Sequence, residues 1–538
     1  MPAQQPTPSP FFRYARRSGF LEACRSASLV ACRSASRSAL RYAVWLAALL
    51  SFAVPVRAQW QTDRFGDGDM AADLAEALTF QKYPTYPQYL EMMQQFQREY
   101  PGICRLDTFG TSVEGRLLLA LEISDHAGTD EPEARFLYTS TIHGDEPLGM
   151  VLLLRLARTL LEGYGNDNEL TGLVDGLSIW INPLFNPDGT YSADQGLSML
   201  HAQRDNVHGI DLNRNFPEPG LHTVTDTSGR QKETIAMMRF LAQQPFTLSA
   251  NLHTGDEVVN YPWDHTYTRH ADDDWYRLVS REYADEARAV DPGYMALFPD
   301  GITNGADWYR IHGGRQDYVN YFLEGREVTL ELSNEKMPEA GLLEGFWEKN
   351  QRSLINYMAQ CMYGIRGTVT DAADGTPVRA RIFLPDHDSA YSVVHSTDRY
   401  GDFYRLVREG TYELIASAPG YLNDTLRGVE VTDFNATLVQ IALQADPKAG
   451  TIETGQAPQL SIYPNPAEGL VTIHPLGLEP GEMEIRILRP DGTIMRQSTL
   501  PYSGDPVTLQ LGPLPAGYYI LSITSGTLHL SRTLIHLE

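Results

Sequence analysis

The sequence predicts an α/β domain followed by two small β-sandwiches, and three observations carry that prediction. From about residue 76 to 360, β-branched runs alternate with helical patterns, the signature of an α/β domain. From Gly364 onward, short alternating strands are broken by Asp-Gly turns with no helical stretch, as in a small sandwich. Near residue 446 the pattern lapses, and strands resume at residue 460. A length of 538 residues fits this division, since domains average about 150 residues.

At the N-terminus, "YAVWLAALLSFAVPV" (42–56) is the one long apolar segment, with basic residues before it and a V-x-A site ending at Ala58. It is shorter than the roughly 20 residues a spanning helix needs and reads as the apolar region of a signal peptide, with residues 1–58 as leader. The mature chain then has no transmembrane segment. The whole chain carries 43 Lys and Arg against 68 Asp and Glu, a net charge of −25. Residues 1–58 hold eight Arg and one Glu, so their removal leaves a net of −32. So acidic a surface argues against nucleic acid and anionic membranes as partners and favours cationic ones. Cys24 and Cys32 leave with the leader, whereas Cys104 and Cys361 stay. Export permits a disulfide between the latter two, and neither lies in a nucleophile motif.

Within the α/β domain, "ARFLYTSTI" (134–142) reads as a strand and "PLGMVLLLRLARTLLEG" (147–163) as the helix after it, with Pro147 at its first turn. "LSIWIN", "FTLSANL" and "REVTLEL" are further strands. Between the first strand and its helix stands "HGDE", with His143 and Glu146 three apart. Alone this is weak, because "HTGD" and "HSTD" share the spacing and a polar turn capping a helix explains it equally well. Two other strand ends add weight. "SANLHTG" puts His253 where a second strand stops, and "VTLELSNEKMP" puts Glu331 near the end of a third. Ligands in α/β sheets collect in the crevice beyond the carboxyl ends of the strands. Two His and one carboxylate form a common hydrolytic zinc set with a fourth position for water, which leaves one glutamate free to act as base.

With "SVEGRLL", "HGDE", "NPDG", "GIDLNRNFP", "SANLHTGDEVVNYPWD", "GITNGADWYRIHGGRQDYVNY" and "ELSNEKMP" all in one order, the chain resembles the zinc metallocarboxypeptidases. The likeness is to the regulatory branch typified by carboxypeptidases N, E, M and D, and it covers about residues 78–360. The resemblance implies a mixed sheet with flanking helices and one Zn2+ held by His143, Glu146 and His253. It implies Glu331 as general base and Arg204, nine residues before Asn213, as the group that polarises the scissile carbonyl. Asn213 and Arg214 would grip the substrate carboxylate, and Tyr309 would close over it. Asp264, eleven residues after His253, and Gln316 in "GGRQD" correspond to the branch's pocket for basic side chains, although Asp256 and Glu257 are nearby acids able to supply the same charge. Asp145 departs from the family's usual Asn in "HGNE", and "NPDG" reads as a turn.

The sandwich at 363–445, with its run "TDRYGDFYRLVREGTYELIASAPGY", resembles the transthyretin-like module of the same branch, and the implied role is docking on the catalytic domain and stabilising it. His395 within it reads as a surface or packing residue. Residues 446–459 read as a linker. The module at 460–538, from "YPNPAEG" to "SRTLI", resembles the sorting domain of the type IX secretion system, so its machinery is an expected partner. The expectation is an enzyme, secreted or at the cell surface after passage through the periplasm, that cuts single C-terminal residues, Arg or Lys above all, from peptides and proteins. Two rivals are a cell-wall peptide carboxypeptidase of the same fold, against which "GGRQD" and "NYPWD" speak, and a catalytically silent peptide-binding module. Silent members lose ligands or the base, whereas all four residues are present here.

Overall fold

The computed structural model describes residues 65–389, 391–447 and, apart from several loop positions, 459–536. The leader and most of the linker segment lie outside the described residues. An eight-stranded mixed sheet runs in the order β1-β2-β4-β3-β5-β8-β6-β7. Its strands are β1 (Cys104–Thr111), β2 (Leu117–Ile123), β3 (Ala134–Ser140), β4 (Leu177–Asn182), β5 (Leu248–His253), β6 (Glu257–Tyr261), β7 (Ile302–Asn304) and β8 (Arg326–Leu332). The central four, β4, β3, β5 and β8, are mutually parallel, while β1, β2 and β6 pair antiparallel to their inner neighbours.

Both faces of this sheet are covered, so nearly every position of its four central strands is buried rather than every second one. In β3, Phe136 and Tyr138 enter one core and Leu137 the other; in β4, Ile179 and Ile181 oppose Trp180 in the same way. This is the period-two pleat of a strand buried on two sides. The first face packs against α1 (Tyr86–Glu99), α2 (Leu148–Gly163), α4 (Asp273–Val290) and α6 (Leu343–Ala359); the second packs against α3 (Lys232–Gln243) and α5 (Arg315–Phe322). Helix α1 begins with a reciprocal capping box of Thr85 and Gln88, which satisfies two otherwise orphaned donors. Pro147 stands at the cap of α2, one position ahead of the first turn where the sequence reading set it.

The "NPDG" segment is more than a turn. Asp188 is buried and accepts bonds from the Ser112 hydroxyl (2.8 Å), the Glu114 amide (2.8 Å) and Arg116 (2.7 Å), so it ties this segment to the "SVEGR" turn between β1 and β2. Cys104 and Cys361 are both buried and free.

The second region is a sandwich of a four-stranded sheet, β11-β10-β13-β14, and a three-stranded sheet, β12-β9-β15. Its strands are β9 (Gly364–Asp371), β10 (Arg381–Phe383), β11 (Val394–His395), β12 (Asp402–Arg405), β13 (Gly410–Ser417), β14 (Asp424–Val431) and β15 (Ala436–Leu443). Ile365, Ile382, Phe403, Leu414 and Leu443 fill its core. His395 pairs at 2.8 Å with Glu324 of the first domain. A third unit between Gln459 and His536 has two further antiparallel sheets of three and four strands, closed on Val471, Ile473, Ile485, Leu521 and Ile523. Among the described residues no helix is long and apolar enough to cross a membrane.

Candidate metal centre and substrate pocket

The site is built at the carboxyl ends of β3, β5 and β8. Past the end of β3, Thr141 adopts φ 61°, a left-handed conformation that a β-branched residue enters only under constraint. Its hydroxyl donates to the Pro183 carbonyl, and the turn brings His143 over the sheet edge. Gly144 is required by close approach: a Cβ there would lie 2.2 Å from the Gly189 carbonyl carbon and 2.6 Å from the Gln203 carbonyl oxygen. His253 is the last residue of β5 and stands in register beside Glu331 of β8.

These placements bring His143, Glu146 and His253 together as a buried donor set. His143 Nδ1 lies 3.0 Å from Glu146 Oε1, His253 Nδ1 lies 2.8 Å from Glu146 Oε2, and the two Nδ1 atoms are 3.1 Å apart. Each ring is held through its other nitrogen. His143 Nε2 is 3.1 Å from Asp211 Oδ1, and His253 Nε2 is 2.8 Å from the Asn251 side-chain amide. Two nitrogens and a carboxylate oxygen converging on one point, with both rings fixed from behind, fit a single zinc ion.

Burial pushes the His253 imidazole down to about 4, so its lone pair is available at neutral pH. Glu146 is buried too, yet the charges and hydrogen bonds of His143 and His253 hold its carboxyl well below the usual range. Glu331 goes the other way. Burial, then the charges of Glu146 and Asp256, push it well above the ordinary carboxylate range, which strengthens it as a proton acceptor.

A cavity of about 260 Å3 opens over this centre, and of the sequence-predicted residues only Gln316 is not on its wall. Arg204 donates to Asp211 through Nε (3.1 Å) and Nη2 (2.9 Å), which aims Nη1 at His143 Nδ1, 3.2 Å away. Arg214 lines the cavity, donates through Nη1 to the Asn213 carbonyl (2.9 Å) and has Asp211, its one carboxylate partner among the described residues, at 4.0 Å. Asn213 is fixed by the Arg315 amide donating to its Oδ1 (3.0 Å). Tyr309 is 50% exposed and rests edge-on against Trp308.

Asp264 is buried, and its Oδ1 accepts from Asn260 (3.1 Å) and from Gln316 (2.9 Å), which thereby backs the pocket rather than lining it. Among the described residues no lysine, arginine or histidine forms an ion pair with Asp264. Burial, reinforced by the charge of Asp317, raises its carboxyl well above the ordinary value. Gly305 makes room for it, since a Cβ there would fall 1.8 Å from Asp264 Oδ1. Of the other two acids, Asp256 lines the cavity nearer Glu331, whereas Glu257 takes bonds from the Met295 and Asn334 backbone.

Sequence reasoning passed over Asp211 and Lys336. Asp211 sits inside the quoted "GIDLNRN" and carries both His143 and Arg204. Burial opposes its ionisation, but His143 and the two arginines lower its pKa far below the usual range. Lys336 donates to Asp145 (2.8 Å) and Glu146 (3.2 Å), so the Asp145 departure gives this lysine a partner beside the candidate donor set.

Residues 89–353 match the family described as zinc carboxypeptidase, residues 364–444 the carboxypeptidase regulatory-like domain, and residues 461–536 the secretion system C-terminal sorting domain. The chain is 35% identical over 408 residues to the human carboxypeptidase N catalytic chain, covering 69% of this chain and 87% of that one. It is 35% identical over 404 residues to carboxypeptidase E of Caenorhabditis elegans, covering 66% and 84%. Human carboxypeptidase D is 40% identical over 374 residues, 66% of this chain but 26% of that protein; the chain thus spans about a quarter of the length of the carboxypeptidases D it matches.

On the reading that His143 is a zinc ligand, its ring is oriented by Asp211, and Asp211→Ala is expected to weaken zinc binding about ten- to a hundredfold. Competition against a chromogenic chelator measures this, and an unchanged affinity would remove Asp211 from the supporting shell.

Proposed function

Since the chain belongs to the zinc carboxypeptidase family, we propose that it releases single C-terminal residues, Arg and Lys foremost, from peptides and proteins. The observation that carries this reading is Asp264, a buried acid at the back of a cavity that forms no ion pair among the described residues. An isolated buried carboxylate is costly, and the side chain of a C-terminal Arg or Lys relieves that cost.

The remaining roles follow from geometry and chemistry. Arg214 presents a planar fork suited to bidentate capture of the substrate carboxylate, with Asn213 beside it. Tyr309, half exposed above them, covers the bound terminus. Arg204 Nη1 stands next to the donor set, where it stabilises negative charge developing on the scissile carbonyl oxygen. Zinc, when bound by His143, Glu146 and His253, supplies Lewis acidity and lowers the pKa of a bound water to about 7. Glu331 accepts the proton of the attacking water and hands it to the departing amine. The raised affinity of Glu331 for protons supports the first half of that transfer, the uptake of the proton.

The C-terminal sorting domain indicates export and a secreted or cell-surface location. We extend this to passage through the periplasm and recognition by a type IX machinery, with domains divided at 76–360, 363–445 and 460–538.

Four outcomes test these readings. Glu331→Gln is expected to retain zinc and lower kcat at least a hundredfold; near-native turnover would reassign the base. Asp264→Ala is expected to cost about 2–3 kcal/mol in kcat/KM for Arg-terminated peptides and little for Leu-terminated ones. In the wild type, a cation prefers ionised Asp264, whose pKa is raised in the free protein. The Arg-to-Leu ratio is therefore expected to rise with pH toward that pKa and level off above it, and a flat or falling ratio contradicts the assignment. Finally, deletion from residue 460 onward is expected to leave active enzyme in the periplasm, and its arrival in the medium would sink the sorting reading.

A further inference from the structure

The second domain meets the first behind the pocket that holds Asp264, through a buried ionic network and an aromatic stack. Asp272, eight residues beyond Asp264, is fully buried. It accepts from Arg326 Nε (3.0 Å) and Nη2 (2.7 Å) and from Arg405 Nη1 (3.1 Å) and Nη2 (2.7 Å), with His387 Nε2 at 2.8 Å. Arg326 is the first residue of β8, the strand that carries Glu331, and it also donates to the Ser392 carbonyl of the second domain at 2.8 Å. Arg405 pairs in turn with Asp388. Two arginines and two aspartates make the network neutral, as buried charges require.

Alongside it, Tyr391 of the second domain stacks on Tyr321 of α5 with centroids 4.0 Å apart and hydroxyls 2.9 Å apart. Trp263, the neighbour of Asp264, meets both rings edge-on at 6.2 and 6.4 Å. Helix α5 also supplies Gln316 and Asp317, and the Asp317 carboxylate accepts from the backbone amides of Asp264 and His265 at 2.9 Å each. The segment 263–272, α5 and β8 thus carry Asp264, Gln316 and Glu331 respectively, and each is gripped by the same side of the sandwich. Anchoring for stability alone needs none of these contacts to converge behind one pocket.

We propose that the β-sandwich is a positioning element for the substrate pocket: Tyr391 and Arg405, acting through Tyr321, Trp263, Asp272 and Arg326, hold Asp264 and Gln316 in register with Glu331 and so set selectivity for the C-terminal side chain. This rests on the reading that the Asp264 pocket receives that side chain. Tyr391 and Arg405 touch no substrate, and their effect is geometric. A displacement of about 1 Å at a binding group costs up to about a hundredfold.

The test uses full-length protein and peptides that differ only in the last residue. The ratio of kcat/KM between the wild type's own best and worst termini is compared across Tyr391→Ala, Tyr391→Phe and Arg405→Met, with thermal unfolding and zinc content measured in parallel. Tyr391→Ala is expected to shrink the ratio about tenfold, through KM for the preferred terminus, while zinc content stays the same. Tyr391→Phe keeps the stack and is expected to restore most of the ratio. An unchanged ratio in Tyr391→Ala, with or without a lower melting temperature, overturns the proposal and leaves the sandwich as a stabilising domain. If Arg405→Met does not fold, the partly exposed Tyr391 still decides the matter. A wild type that prefers apolar termini defeats the Arg and Lys assignment, yet the ratio between its own best and worst termini still reads the coupling.

Discussion

The parallel alignment of β3, β5 and β8 is the constraint on which the site depends. Their hydrogen-bond register sets His253 opposite Glu331 and stops β3 one short turn before His143. Residues far apart in sequence thereby meet at one edge of one sheet. A slip of a single residue between β5 and β8 would turn every side chain of the slipped strand to the other face. The apolar burial of both faces opposes such a slip, because it would exchange the contents of two differently shaped cores. The residues that do chemistry are few, and the large buried strands beneath them provide their precision.

Around that edge, charge is balanced by arginine and lysine from several loops. Glu146 and Glu331 are both buried carboxyls, and Arg204, Lys336 and the two imidazoles face them. Asp211 links this layer to the next by holding His143 and Arg204 at once. A similar logic recurs between the domains, where Asp272 accepts from two arginines and Asp388 restores neutrality. Such networks tolerate burial only when each member is paired. Asp264 stands apart from them, ringed by the amides of Asn260 and Gln316 rather than by a cation, and that exception is what gives the pocket its proposed preference.

Glycine marks the places where backbone has to approach closely. Gly144 admits the "NPDG" segment against the turn that carries His143, and Gly305 admits the Asp264 carboxylate. The same "NPDG" run, through Asp188, fastens the β1–β2 turn to the floor of the site. Motifs that look like separate signatures along the chain are thus parts of one hydrogen-bonded assembly.

The amino-acid sequence by itself determined the class of fold, the inner strands and which candidate groups the sheet brings to one cavity. "REVTLEL" coincides with β8 residue for residue, and "LSIWIN" with β4, because each run sets β-branched or aromatic residues between the helical patterns. His143, Glu146, His253 and Glu331 were legible because each follows or ends such a run. The edge strand β1 did not stand out, since "CRLDTFGT" mixes polar and apolar residues as a half-covered strand does. Only the tertiary structure decided the work of Asp211, a lone acid in a polar run until the chain folds His143 and Arg204 onto it. It also decided that Lys336 faces Glu146, that Gln316 stands behind Asp264, and that Asp272 joins two domains. Local sequence records which groups are available and how each segment is buried, whereas a hydrogen bond between residues a hundred positions apart exists only after the sheet has set their distance.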